Sequence, residues 1–234
     1  MRPQERLGKE KNMEKSVVKS NKERTREMTI LAMFIAIILI MTFVPYLGYV
    51  QIPNFPSILL VHIPVLIGGA LLGRKAGFLL GLTFGIGSLI KASYSPGLDY
   101  LFIFPWVSVL PRILFGAVIY DVVRFFKKLI NVPIVAYSIS FILLTVLHTV
   151  LVVPMIFSAF PLAFGADIAD NVGSANLDWI TANNSLNGFF VVLGGIFTTN
   201  GLVEALLAGS IGAIVVERIN NQKNKQTESD SERE

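Results

Sequence analysis

The chain has 234 residues, 53% of them hydrophobic and 15% charged, with a mean hydropathy of +0.63, a balance too apolar for an ordinary soluble domain. The net charge of +4 places basic tails and loops beside a membrane surface rather than on a nucleic-acid-binding face, so no DNA or RNA partner is expected. Cysteine is absent, which excludes disulfides and thiolate chemistry, and two isolated histidines, His62 and His148, offer no zinc-ligand spacing.

Nine of the 20 lysines and arginines precede Glu27, and residues 1–27 form a charged tail too long and too acidic for the start of a signal peptide. The apolar run that follows is expected to stay as a first span, 28–47. Its inner end, "LAMFIAIILI", carries Ala32 and Ala36 four residues apart on one helix face. Spans at 56–72 and 75–89 follow, separated by the tight re-entry "GRKA". Glycines at 73, 77, 81 and 85 make one smooth face suited to close helix packing. "GGALLGRKAG" lacks the G-K-[ST] ending and the preceding strand of a phosphate loop, so no nucleotide site is expected.

The fourth span, 101–123, holds Arg112 about 18 Å along the helix from Arg124, too deep to snorkel to that surface. The fifth, 132–157, places Thr145, His148 and Thr149 on one face. The sixth, 186–216, does the same for Asn200 and Glu204, and a charged tail, 217–234, ends the chain. Lysine and arginine clusters at the N-terminus, at 74–75, at 124–128 and at 218–225 all fall on one side of six spans. The expected architecture is an all-α integral membrane protein with six transmembrane helices and both termini cytoplasmic.

Two opposite loops, "KASYSPGLDYLFIFPW" and "SAFPLAFGADIADNVGSANLDWITANNSLNG", are aromatic and rich in turn residues, as expected for lids over an outward pocket. Intramembrane ionisable groups mark sites or pathways by default. Arg112 is expected either to neutralise Glu204 or to hold an anionic ligand group with its fork of donors. Nothing pairs a serine with His148 and there is no metal-ligand cluster, so neither catalysis nor a cofactor is expected.

Six short spans, the Ala32/Ala36 pair, "HIPVLIGGALLGRKAGFLLGLTFGIGSLI" and "LPRILFGAVIYDVV" together resemble the substrate-binding S-component of an energy-coupling factor (ECF) vitamin transporter, over residues 28–216. The resemblance implies a bacterial cell-membrane protein that captures a vitamin outside the cell. It then topples, driven by a transmembrane T-component and two cytosolic ATPases. It also implies that Ala32 and Ala36 dock the T-component, and that outer loops 46–54, 91–106 and 158–188 act as lids.

The candidate substrate contacts are Arg112, His148, Thr145, Asn200 and Glu204, with Asn54 and Lys91 on the lids. Few aromatics stand among these deep positions, which favours a small hydroxy-amide carboxylate over a flat heteroaromatic vitamin. The wording is most similar to the pantothenate branch. A folate or riboflavin S-component, an intramembrane enzyme using His148 or Glu204, and a membrane scaffold are the alternatives.

Overall fold

The computed structural model describes residues 3–50, 58–95, 97–163 and 201–231. In chain order these form α1 (Pro3–Phe43), β1 (Tyr49–Val50), β2 (Ile58–Leu59), α2 (His62–Leu72), α3 (Arg74–Ala92), a 3-10 turn (Gly97–Ile103), α4 (Pro105–Ser108), α5 (Leu110–Leu129) and α6 (Pro133–Ala163). The last described stretch is α7 (Leu202–Leu207), a π turn (Ala208–Gly212) and α8 (Ala213–Ser231). The two strands pair antiparallel, Tyr49 with Leu59 and Val50 with Ile58.

Four described helices are long and apolar enough to cross a membrane: Asn21–Phe43, Arg74–Ala92, Pro105–Leu129 and Pro133–Ile156. They match the first, third, fourth and fifth expected spans. The second differs, because Ile58 and Leu59 are in β-pairing and only His62–Leu72 is helical. Eleven residues at 1.5 Å each reach about 16 Å, roughly half a bilayer core. The sixth enters the described residues only at Gly201, and its helix continues through Ser231 instead of ending at 216. Likewise α1 begins at Pro3, well before the apolar run.

The packing that positions the site runs between α3 and α5. These helices are antiparallel, with Gly77 against Gly116, Gly81 against the Arg112 backbone and Gly85 against Val109. A Cβ on Gly81 would collide with the Arg112 carbonyl oxygen, so only glycine lets the two backbones meet there. In lipid, apolar burial adds little driving force, and such contacts are held by dispersion and weak Cα–H···O bonds. At the other end of the pair, Arg74 forms a fork with Asp121 at 2.9 and 2.6 Å. Both side chains are exposed, so the fork contributes about 1 kcal/mol or less. Gly73 ends α2 and starts α3 at φ 94°, a backbone that disfavours any side chain. Fully buried Phe84, Phe115, Phe141, Leu80, Ile119 and Leu144 fill the space among α2, α3, α5 and α6.

Candidate functional site

The polar cluster assembles where α3 ends and α5 begins, with the β1–β2 pair tied to it through Tyr49 and Leu59. Pro111 opens α5, where its missing N–H costs nothing because first-turn donors have no helical acceptor. Arg112 follows it and is 2% exposed. Its Nη1 donates to the Val107 carbonyl, in α4, and its Nε has no partner. The rings of Phe102 and Phe84 flank the guanidinium at 4.6 and 5.4 Å. Glu204 is also buried, and it lies within electrostatic reach of Arg112. Even so, the two form no ion pair among the described residues. The Glu204 carboxylate instead accepts the Leu59 backbone N–H at 2.6 Å, tying α7 to β2.

His148 sits on α6 against Phe115 and Phe84, with ring centroids 5.0 and 6.0 Å away. His62, the first residue of α2, lies nearly parallel to it at 6.3 Å. Arg112 and His62 both act electrostatically on His148, so the three groups belong to one cluster. Thr145, one helical turn from His148, is buried and donates to the Phe141 carbonyl at 2.9 Å; Thr149 donates to the Thr145 carbonyl at 3.2 Å. Their protons stay within α6, leaving only oxygen lone pairs to offer.

Lys91 places its Nζ 3.0 Å from the centroid of the Tyr49 ring, while the Tyr49 hydroxyl pairs with Ser88 Oγ at 3.0 Å. Burial pushes the Tyr49 phenol up to about 12, so it stays protonated at physiological pH. Lys91 and Ser88 hold β1 to the end of α3, and Tyr49 lies within electrostatic reach of Arg112.

Residues 26–216 match the family described as ECF transporter, substrate-specific component. The chain belongs to this family. It is 28% identical over 220 residues to the pantothenic acid transporter PanT of Lactococcus lactis subsp. cremoris, covering 87% of this chain and 98% of the relative. A second relative, the pantothenate transporter PanT of Leuconostoc mesenteroides, is 32% identical over 103 residues, 41% of this chain and 50% of that protein.

As a substrate-specific component, the chain brings four of the expected residues into or beside one cluster: Arg112, His148 and Glu204 directly, Lys91 through Tyr49. Thr145 adjoins it, whereas Asn54 and Asn200 lie outside the described residues. One expectation is corrected: the surroundings are aromatic. Phe84, Phe102 and Phe115 line the cluster, because Phe84 shares α3 with the glycine face and Phe102 comes from the 3-10 turn. Scarcity of aromatics thus gives no ground for excluding a flat ligand. Tyr49, Ser88 and His62 were not singled out as site residues; each lies at an element end, where helical periodicity carries little signal, although His62 opens the "HIPVLIGG" phrase. Ala32 and Ala36 are exposed on α1.

Proposed function

We propose that this protein captures pantothenate at the outer face of the bacterial cell membrane and hands it to a T-component driven by two cytosolic ATPases. It crosses the membrane six times with both termini inside. The two basic tails, Arg74 with Lys75, and Arg124 with Lys127 and Lys128 support that orientation. The role is binding and handover, not catalysis. The likeness to pantothenate transporters over nearly the whole of one relative supports the substrate.

The observation that carries the proposal is Arg112, a buried cation whose Nε has no partner and which forms no ion pair with a carboxylate among the described residues. A buried charge requires compensation, and a ligand carboxylate supplies it. His148 and Thr145 provide neutral contacts, and Lys91 holds the β1–β2 pair through Tyr49.

Calorimetric titration of the purified protein tests this reading. A charge-assisted contact contributes about 1.5–3 kcal/mol, so Arg112→Ala should weaken pantothenate binding by about tenfold or more. Arg112→Lys should recover part of the loss, since it keeps the charge without the planar fork. Equal affinity of the unsubstituted protein for pantothenate and its uncharged amide analogue would remove Arg112 as the carboxylate reader.

A further inference from the structure

Beside Arg112, Nε2 of His148 has no hydrogen-bond partner, and the His62 ring stacked on it meets only the Leu59 backbone, so no more than one of its two nitrogens is answered. His62 is fully buried, and its stacking on His148 gives the ring an apolar contact but leaves a ring nitrogen unanswered. A neutral imidazole carries one donor and one acceptor, and leaving either unmet in a buried place is destabilising. Counting Nε of Arg112, three polar atoms of one cluster stand unmatched, whereas buried polar atoms are overwhelmingly paired. A phenylalanine at position 62 would keep the stack without the unmet nitrogen. The imidazole is therefore informative about what enters the cluster.

The two kinds of orphan ask for different chemistry. Nε of Arg112 can only donate, so it needs an acceptor such as a carboxylate oxygen. With one His62 nitrogen donating toward the Leu59 carbonyl, the other is an acceptor and needs a donor, which a hydroxyl group supplies and a second carboxylate cannot.

We propose that His62 is a further ligand-contacting residue, reading hydroxyl groups on the same molecule whose carboxylate Arg112 holds. This rests on the function proposed above and adds a specificity element at the start of α2. Entry of the ligand satisfies the open nitrogen. An analogue without hydroxyls leaves it orphaned, which is the situation in which a polar site discriminates most strongly.

The experiment is a ligand-by-variant cycle read by calorimetry. The probes are pantothenate, its dideoxy analogue that keeps the amide and carboxylate, and pantothenol, in which the carboxylate is reduced to an alcohol. His62→Phe should bind pantothenate about tenfold more weakly than the unsubstituted protein, with the difference shrinking to within about twofold for the dideoxy analogue. Its ligand-free melting temperature should stay close to that of the unsubstituted protein, because the stacked ring is kept and the loss of the Leu59 contact is offset by removal of an unmet nitrogen. His62→Asn, which retains a donor and an acceptor, should keep part of the preference for the diol and serves if the Phe variant does not fold.

Equal losses for both carboxylate ligands, or no loss at all, would overturn the assignment. Pantothenol separates the two readings. Unsubstituted protein that binds pantothenol as tightly as pantothenate has lost the role of Arg112, while a His62→Phe loss confined to hydroxyl-bearing ligands still upholds His62. Failure of the unsubstituted protein to bind pantothenate at all removes both.

Discussion

Arg112 and Glu204 are buried neighbours of opposite charge whose hydrogen bonds go to backbone groups, the Val107 carbonyl and the Leu59 N–H. This arrangement predicts different outcomes for two substitutions of Glu204. Glutamine keeps an oxygen for Leu59 and should change stability by less than about 1 kcal/mol, whereas alanine orphans a partly buried N–H and should cost about 1–3 kcal/mol. Coupling between Glu204→Gln and Arg112→Ala should stay below about 1 kcal/mol in thermal unfolding in detergent. A coupling of several kcal/mol would identify the pair as a direct ion bridge and weaken the case for a ligand at Arg112. Arg112 was legible in the sequence because a guanidinium inside an apolar run is conspicuous and has to be accounted for. His62 and Tyr49 were not, since what distinguishes them is an unmet or clamped polar group, a property of three-dimensional neighbours rather than of the string.

Helices show the same division. Of the glycines at 73, 77, 81 and 85 expected to form one close-packing face, α3 presents 77, 81 and 85 to α5, with Gly116 completing the seam, whereas Gly73 lies outside it as the positive-φ link between α2 and α3. The break at Val109, the β1–β2 pair and the π turn carried no comparable signal: each is a local departure from regular pairing set by tertiary contacts. Gly209, in that turn, packs on Ile142 of α6, and Gly212 on Phe141. Because the seam sets where Arg112 stands, Gly81→Ala should do more than loosen the bundle. Its methyl meets backbone that cannot swing aside, costing about 1–3 kcal/mol in unfolding and weakening pantothenate binding through displacement of α5. Gly87→Ala is the control, since its Cβ would lie 3.1 Å from the Thr42 Cγ2, a side-chain atom in ordinary reach of adjustment. Near-equal effects of the two changes would show that the seam does not position the site.

For the molecule as a whole, the first helix is the most telling surface. Phe34, Ile38 and Met41 pack inward, while Ala32, Met33, Ala36, Ile37 and Ile40 lie exposed, and methyl side chains at 32 and 36 make a smooth strip between bulkier neighbours. That strip was readable from sequence spacing; its exposure needed the fold. Small residues on a lipid-embedded helix permit close backbone approach, which suits docking against another helix. Replacing both alanines with leucine should therefore leave pantothenate affinity within about twofold while abolishing co-purification with the T-component. Uptake distinguishes the consequences. In proteoliposomes this chain alone should not concentrate pantothenate, the assembly with T-component and ATPases should do so when ATP is supplied, and the double leucine variant should abolish that accumulation. Loss of binding in the variant would place the alanines in internal packing, and accumulation by the lone chain under an ion gradient would replace the shared-motor mechanism with secondary transport.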